Sequence, residues 1–157
     1  AEFGPRALGH RSILADPTRT DMQDHVNLRV KHREDFRPFA PSSPVEDYQT
    51  YFDAPAEDWF MTKVIPVRKE FHERLPAITH VDGTARPQVV GRDDDPFIHA
   101  LVTAWHARTG EMALINTSFN MHEEPIIHTA ERGLDALRAG TIDALLLDDR
   151  VVERAGG

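Results

Sequence analysis

Residues 93–116 carry signals for both ends of a helix and for the strand that follows it. Asp95 directly before Pro96 marks the start, because proline fits the first helical turn, where its missing N–H is not needed. Gly110 marks the end, and the apolar run from Met112 to Asn116 predicts a short buried strand. The predicted apolar face of the helix consists of Phe97, Leu101, Ala104 and Trp105. A helix and a buried strand in succession restrict the chain to architectures that mix both elements.

A second helix is predicted from about Asp21 to Lys31. Met22, Val26 and Val30 recur at spacing four and form one apolar stripe, and Thr20 with Gln23 resembles a capping box at the start. The three prolines at positions 38, 41 and 44 then force an extended or turning path.

The remaining elements complete a mixed fold. A helix is predicted over Glu131 to Arg138, capped by Thr129 and closed by Gly140, and residues 144–147 predict a last strand. Residues 61–67 and 78–90 are rich in β-branched side chains and predict strands, the second with a hairpin around Asp82 and Gly83. We therefore expect an α/β or α+β domain with a twisted mixed sheet flanked by helices.

Composition narrows the function classes. The chain has 157 residues and 40% apolar residues, which predict one globular domain, and its formal net charge of -8 argues against nonspecific nucleic-acid binding. It has no cysteine, which excludes disulfides, thiolate zinc sites and a cysteine nucleophile. No apolar run reaches the roughly 20 residues of a membrane helix, so we expect no membrane span and a cytoplasmic location. Because the chain begins with Ala1 rather than methionine, we expect a fragment of a longer protein.

Six cations lie close together in this acidic chain: Arg6, Arg11, Arg29, Lys31, Arg33 and Arg37. Such a cluster indicates either an anion site or a surface on which each cation pairs with an acid such as Glu34 or Asp35. Lys31 and Arg33 would supply a point charge and a bidentate fork for phosphate, although cations at a helix C-terminus also interact favourably with the helix dipole. The glycine-rich phosphate loops are absent, so any phosphate site must use side chains.

Two polar segments are further candidates. Residues 116–120, Asn-Thr-Ser-Phe-Asn, follow the predicted buried strand, and Ser118 and Asn120 share a side if the backbone stays extended; the alternative is a polar turn bonded to its own backbone. The segment Thr-His-Val-Asp-Gly-Thr-Ala-Arg at 79–86 favours a turn that directs Thr84 and Arg86 at a ligand. A metal at His80 and Asp82 lacks an apparent third ligand.

Taken together, EFGPRALGHRSILADP, VKHREDFRPFAP, THVDGTARPQ and NTSFN, in this order, resemble the C-terminal domain of the carbamoyltransferases of nodulation-factor and antibiotic biosynthesis. The resemblance covers nearly the whole chain. It implies a domain-junction segment over residues 1–20 and a YrdC-like domain over residues 21–157. It also implies a partner, the N-terminal Kae1-like (actin-fold-related) domain of the same protein, which this chain lacks.

The resemblance further implies that this domain converts carbamoyl phosphate and ATP to carbamoyl-adenylate, from which the Kae1-like domain carbamoylates a hydroxyl of a sugar or natural product. Magnesium is expected with the nucleotide and no metal bound by this domain itself. The nucleotide-binding residues implied are Lys31, Arg33, Thr84, Arg86, Ser118 and Asn120, of which Lys31, Arg33 and Arg86 are the catalytic candidates. Arg6 and Arg11 are the candidates for carbamoyl phosphate.

Two positions depart from the family pattern. Glu123 stands where a glycine is usual, and Pro87 stands where a β-branched residue is usual and indicates an edge strand or strand end. Two other functions stay open: a nucleotide-binding or regulatory module that is inactive without its N-terminal domain, and an RNA-binding domain, which the net charge disfavours. A homodimer is a further expectation, and the sequence does not identify the acceptor.

Overall fold

The computed structural model describes residues 7–32 and 39–154 and combines helices with a mixed sheet, which confirms the predicted α+β class. The helices are α1 (Met22–Val26), α2 (Tyr48–Tyr51), α3 (Pro96–Thr109) and α4 (Ala130–Arg138). A π-helical turn (Asn27–Lys31) continues α1, and a 3-10 turn spans Lys69–Phe71. The strands are β1 (Ser12–Ala15), β2 (Pro41–Pro44), β3 (Ile65–Pro66), β4 (Thr84–Ala85), β5 (Gln88–Val90), β6 (Leu114–Ser118), β7 (Ala144–Leu147) and β8 (Arg150–Glu153).

The main sheet has four strands in the order β1-β6-β2-β5. β6 is antiparallel to both its neighbours, whereas β2 and β5 are parallel. Because of these directions, β6 ends at the sheet end where β1, β2 and β5 begin. The predicted division at residue 20 stays a prediction, but β1 forms part of this sheet.

The hairpin predicted around Asp82 and Gly83 is wrong about which strands pair. The turn is present, because the Gly83 N–H donates to the carbonyl of His80 at 2.9 Å and the His80 N–H donates to that of Thr84 at 2.7 Å. The strand after the turn, β4, nevertheless pairs with β3, with Ile65 opposite Ala85, and β5 joins the main sheet instead. Pairing across about 20 residues of chain replaced the local pairing that the sequence suggested.

Helix α3 begins and ends where the sequence predicts. The Asp95 carboxylate accepts a hydrogen bond from the Ile98 N–H at 3.0 Å, and Gly110 ends the helix with a φ of 82°. The predicted face is correct only in part: Leu101 and Trp105 pack against the core, but the buried positions are Ile98, His99 and Val102, whereas Phe97 is 46% exposed and Ala104 is also exposed. The buried stripe is thus rotated by about one residue.

The other two predicted helices are present. Thr129 caps α4 through the Arg132 N–H, and Gly140 follows the helix with a φ of 76°. In the first helix Met22, Val26 and Val30 are buried as predicted. Its N-cap, however, is Asp21, one residue after the predicted cap Thr20, and Asp21 makes no side-chain capping bond.

The core lies on both faces of the main sheet. One cluster joins the α1 stripe to Phe39, Tyr48, Ile78 and Ile115, among others. A smaller cluster of Val90, Ile98, Val102 and Leu114 holds α3. Within the described ranges, no helix has the length and apolar character that a membrane-spanning helix needs.

Candidate functional site

The strand register brings several predicted site residues to one end of the main sheet. We call the end at which β6 finishes and β1, β2 and β5 begin the polar end. Ser118 closes β6 opposite Ser12, so Arg11 lies beside Phe119, whose N–H donates to the Arg11 carbonyl at 2.8 Å. Across the sheet, Ser42 of β2 is level with Gln88 of β5. Arg86, two residues before Gln88, therefore also precedes its strand at the polar end.

Lys31 is at the centre of the polar end, and only 7% of it is exposed. Its Nζ lies 2.5 Å from the carbonyl of Ser118 and 3.1 Å from the Ser118 Oγ. It lies 3.1 Å from the carbonyl of Asn120 and 2.8 Å from the Asn120 Oδ1. A buried ammonium is stable only when it is well hydrogen-bonded, and these four oxygens satisfy that requirement. We call Lys31, Ser118 and Asn120 the lysine cluster.

Ser118 and Asn120 lie on the same side, as predicted for an extended segment. The Ser118 hydroxyl donates to the Asn120 Oδ1 at 2.6 Å, so this oxygen accepts from both the hydroxyl and the ammonium. The Asn120 Nδ2 donates to the carbonyl of Glu124 at 2.9 Å, which folds the following loop back on itself. The sequence left open whether residues 116–120 place Ser118 and Asn120 on one side or form a polar turn bonded to its own backbone. The structure shows both features.

His122 ties this loop to the backbone at Lys31. Its Nδ1 is 3.0 Å from the Lys31 carbonyl, which can only accept, so Nδ1 must carry the proton. The next residue, His32, has a left-handed φ of 45° and meets the His122 ring edge-on with centroids 6.1 Å apart. This contact fixes the direction in which the chain leaves Lys31.

Arg11 extends the positive charge of the polar end. Its Nη1 donates to the Ile127 carbonyl at 3.3 Å, while its Nε is buried and has no hydrogen-bond partner within the described residues. The guanidinium therefore contacts a neutral oxygen and retains an unused donor. Such a group is suited to binding an anion.

The 79–86 turn forms a second polar cluster, made of His80, Asp82, Thr84 and Arg86. The Thr84 hydroxyl lies 2.7 Å from the Asp82 Oδ1 and 3.1 Å from the His80 Nδ1. Burial lowers the pKa of His80, the Arg86 charge lowers it further, and Asp82 opposes both. Hydrogen bonds from the Thr84 hydroxyl and backbone N–H hold the pKa of Asp82 below its usual value.

Gly83 allows this turn to pack closely. Its φ is 79°, and a Cβ placed there would lie 2.8 Å from the Cε1 of His72. The His72 ring is itself fixed by a 2.9 Å contact between its Nε2 and the Val67 carbonyl. The turn is therefore held rigidly against the residues that follow β3.

Residues 1–154 match the family described as Carbamoyltransferase C-terminus. The chain belongs to this family. The nodulation protein NolNO of Sinorhizobium fredii is 42% identical to it over 157 residues, 98% of this chain and 23% of that protein. A 3'-hydroxymethylcephem-O-carbamoyltransferase of Amycolatopsis lactamdurans is 38% identical over 156 residues, 99% of this chain and 29% of that enzyme. Nodulation protein U of Rhizobium tropici is 40% identical over 122 residues, 78% of this chain and 21% of that protein.

These matches confirm the resemblance inferred from the motifs. The chain spans between 21% and 29% of the length of these three relatives. Most of each relative therefore lies outside the region that this carbamoyltransferase C-terminus matches, which is consistent with a separate N-terminal domain in those proteins.

The structure accounts for both departures from the family pattern. Glu123, in the position where glycine is usual, has a φ of 60° in the left-handed region that glycine adopts without strain. Pro87 lies directly before β5, an edge strand of the main sheet, as its missing N–H predicted.

The predicted site residues fall into three groups. Lys31, Ser118 and Asn120 form one cluster with Arg11 beside it, whereas Thr84 and Arg86 belong to the separate turn cluster. Arg6 and Arg33 lie outside the described residues. The binding roles assigned to all eight stay predictions.

Asn116, from the same polar segment, has a structural position. Its Nδ2 donates to the Ser42 Oγ and to the Gln88 Oε1, both at 2.8 Å, and the residue is 1% exposed. It joins β6 to the side chains of β2 and β5 inside the sheet. It therefore contributes to the order of the strands and does not face a ligand.

Sequence reasoning did not assign roles to His122 and His80. His122 gave no signal, because its contact with Lys31 spans 91 residues of chain. His80 gave a partial one, since a histidine, an aspartate and a threonine alternate within five residues. Within the described ranges, no group of three or more His, Asp or Glu side chains is arranged to hold a metal ion.

Proposed function

We propose that this chain binds ATP and carbamoyl phosphate at the polar end and converts them to carbamoyl-adenylate, as one half of an O-carbamoyltransferase. The observation that carries the proposal is the lysine cluster, in which an almost buried ammonium lies within hydrogen-bonding distance of four oxygens of Ser118 and Asn120. Arg11 lies beside it with an unused donor. Membership of the carbamoyltransferase family supports the choice of reaction class.

The proposed reaction proceeds in two balanced steps. Water cleaves carbamoyl phosphate to carbamate and inorganic phosphate. A carbamate oxygen then attacks the α-phosphorus of ATP, and pyrophosphate leaves as the P–O bond to the β-phosphate breaks. No protein nucleophile is needed, so catalysis comes from alignment and charge stabilisation, and alignment alone can lower the barrier by on the order of 7–11 kcal/mol.

Each predicted residue has a role in this scheme. Lys31 exchanges one or more of its neutral oxygen partners for a phosphate oxygen, and Ser118 and Asn120, which hold its amine, orient the nucleotide. Arg33 and Arg86 bind ATP phosphates together with Thr84, and Arg6 and Arg11 bind carbamoyl phosphate. Magnesium enters with the nucleotide, held mainly by phosphate oxygens and water.

The second half of the reaction is assigned to the N-terminal Kae1-like domain of the same protein. The relatives are several times longer than this chain, which supports a partner domain. The named activity of the Amycolatopsis relative, O-carbamoylation of a hydroxymethyl group, supports a hydroxyl acceptor. The same length difference also favours a second candidate, a nucleotide-binding module that is inactive without its partner domain.

The test is carbamoyl-phosphate-dependent exchange of pyrophosphate into ATP. Ser118→Ala removes the hydroxyl that contacts both Lys31 and Asn120, and we expect exchange to fall at least about tenfold. Thr103→Ala is the matched control, because this hydroxyl contacts only the carbonyl of His99 in its own helix. If the exchange rate of Ser118→Ala stays within a few fold of that of the unmodified chain, the roles proposed for Lys31, Ser118 and Asn120 are wrong. If the unmodified chain binds ATP but shows no exchange, the second candidate, the inactive nucleotide-binding module, is favoured.

A further inference from the structure

A long groove runs beside the main sheet, between β1 and the hairpin of β7 and β8. Its volume is about 1510 Å³, whereas pockets for small ligands usually measure about 300–1,000 Å³. It is lined by every residue of 9–16, which contain β1, and by every residue of 141–148, which contain β7. Successive side chains of a strand point to opposite faces, so a groove that meets every residue of a strand runs along its edge. The groove therefore has a strand edge on each side.

β1 presents unpaired backbone groups to this groove. The Phe119 N–H donates to the Arg11 carbonyl at 2.8 Å, and bonded and nonbonded pairs alternate along an antiparallel ladder. Alternate residues from Arg11 onwards therefore bond to β6, whereas the N–H and C=O groups of Ser12 and Leu14 point away from it. β1 is the first strand in the sheet order, and across residues 7–32 and 39–154 no strand pairs with its outer edge.

β7 provides a second open edge. It pairs with β8, and no other strand in the described part of the chain pairs with it. Of the β8 residues only Val151 lines the groove, so the edge of β7 that faces the groove is the one away from β8. Ile13 of β1 and Leu145 of β7 are both buried in the larger core cluster. A strand placed between them would cover the same core and would need apolar side chains at alternate positions.

Exposed apolar side chains also mark this groove. Phe97 of α3, Leu146 of β7 and Val151 of β8 line it and are 46%, 45% and 67% exposed. Leu101, one turn after Phe97, lines it as well. Exposed apolar side chains beside two open strand edges are typical of a surface that another polypeptide segment covers.

A second copy of the described structure does not supply such a segment. A strand between two open edges must pair on both sides. Each of the eight described strands already has a partner on at least one side, so any of them could satisfy only one of the two edges.

The family indicates a different occupant. The chain matches a carbamoyltransferase C-terminus and spans 21–29% of the length of the three relatives, so the larger part of such a protein lies N-terminal to this region. Residues 9–11, directly before β1, line the groove, so the preceding polypeptide reaches β1 beside it. A segment of that N-terminal part is therefore close to the groove by chain connectivity.

We propose that an extended segment of the N-terminal domain, with apolar side chains at alternate positions, docks between β1 and β7 and pairs with both. The main sheet and the hairpin then form one sheet in the order β8-β7-segment-β1-β6-β2-β5. Addition of a strand to an open edge is a common mode of recognition, in which main-chain hydrogen bonds supply the affinity. Because Arg11 directly precedes β1, docking also fixes the backbone of a candidate carbamoyl phosphate ligand. The proposal rests on the N-terminal domain of the proposed function, but not on its reaction.

Residue-resolved hydrogen exchange tests the docking on two proteins: the 157-residue chain alone, and the same chain with its N-terminal domain attached. The amides of Ser12 and Leu14 should exchange at least about tenfold more slowly in the longer protein, because pairing with the docked segment protects them. The amides of Ile13 and Ala15 bond to β6 and should be protected in both proteins, which shows that β1 is folded in each.

Variants of the longer protein locate the contact. Val151→Lys places a charge in the groove and should raise the exchange rates of Ser12 and Leu14 by about tenfold or more. Val64→Lys is the matched control, because Val64 is 59% exposed, close to the 67% of Val151, and does not line the groove. Leu14→Pro removes an outward N–H without removing a bond to β6, so it should lower the protection of Ser12 more than Leu14→Ala does.

Fast exchange of Ser12 and Leu14 in the longer protein, while Ile13 stays protected, overturns the proposal. Equal protection in the isolated chain also overturns it, because the edge is then covered without the N-terminal domain. If that protection rises with the concentration of the isolated chain and a dimer sediments, the edge belongs to a second copy instead. Equal effects of Val151→Lys and Val64→Lys contradict the position of the contact. Pyrophosphate exchange does not enter these measurements, so failure of the docking and failure of the proposed reaction are told apart.

Discussion

The two ends of β6 carry polar networks of opposite kind. Before the strand, the Glu111 carboxylate accepts from the Arg74 Nε at 2.8 Å and from the Tyr51 hydroxyl at 3.0 Å, and the Met112 N–H donates to that hydroxyl at 2.7 Å. After the strand, the Lys31 ammonium contacts four neutral oxygens of Ser118 and Asn120. The first network pairs opposite charges, whereas the second joins a cation to two uncharged side chains and two backbone carbonyls.

On this difference we base the proposal that the first network has a structural role and the second a ligand-binding role. A carboxylate paired with a guanidinium is already neutralised, and an arriving anion would have to displace the carboxylate. Neutral oxygens hold an ammonium more weakly than a phosphate does, so a phosphate oxygen can replace one of them at a net gain. The start of β6 therefore stabilises the fold, and the end of β6 is suited to an anionic ligand.

Lys31→Met should give the largest effect on activity. The substitution keeps much of the side-chain volume but removes the ammonium, and pyrophosphate exchange should fall by about 100-fold or more. Because the oxygens of Ser118 and Asn120 lose a donor, the free energy of unfolding should also fall by about 1–3 kcal/mol. Exchange kinetics and urea denaturation measure the two effects. Full pyrophosphate exchange in Lys31→Met would show that the Lys31 end of β6 does not serve the reaction.

Tyr51→Phe should have the reverse profile. It deletes the hydroxyl between Glu111 and the Met112 N–H, which should lower the free energy of unfolding by about 1–3 kcal/mol. Exchange measured well below the melting temperature should stay within about twofold, because this network lies at the other end of β6. A large loss of exchange in the folded variant would show that the two ends are coupled.

The stability supplied by buried tyrosines, including Tyr51 in the network before β6, should also depend on alkaline pH. Burial raises the pKa of Tyr51 to about 12, with Glu111 adding to the shift, and burial raises the pKa of Tyr48 to about 12 as well. These are the two tyrosines of the chain, so ultraviolet titration of native protein should show little tyrosinate at pH 11. Since the unfolded chain loses these protons near pH 10, the contribution of the two tyrosines to stability should be constant below that pH and decline between about pH 10 and pH 12. A native titration centred near pH 10 would contradict this burial.

Glu123→Gly should give the smallest effect. Glycine adopts the φ of 60° without strain but increases the entropy of the unfolded chain, so the net change in unfolding free energy should stay within about 1 kcal/mol. The loop also carries an exposed contact of 3.8 Å between the His122 Nε2 and the Glu123 carboxylate, and exposed contacts of this kind contribute little to stability. Exchange reduced by more than a few fold would assign the Glu123 side chain a role in the site.

Local signals predicted α1, α3 and α4 but not the short helix α2, and nonlocal pairing set the strand order. Asp95 and Gly110 act within one turn of α3, so the sequence located both ends. The pairing of Ile65 with Ala85 depends on where two distant segments meet, and no local pattern reports it. The turn at Gly83 was therefore predicted correctly while its strand partner was not.

The candidate site shows the same division. Lys31 and Ser118 are separated by 87 residues of chain. Only the resemblance to the carbamoyltransferases grouped them before the structure showed them in contact. Residue types alone could not separate Asn116 from Asn120, because both follow the same polar pattern. Burial inside the sheet gives Asn116 a structural position, and contact with the ammonium makes Asn120 part of the lysine cluster.

The central claim is that the end of β6 binds the nucleotide. Isothermal titration with a nonhydrolysable ATP analogue tests this claim most directly. The titration compares the unmodified chain, Lys31→Met and Tyr51→Phe, each with and without carbamoyl phosphate. The account predicts that the unmodified chain and Tyr51→Phe bind the analogue with equal affinity and that Lys31→Met binds it at least about tenfold more weakly. Equal affinity in Lys31→Met and Tyr51→Phe would contradict the assignment of the end of β6 to the nucleotide.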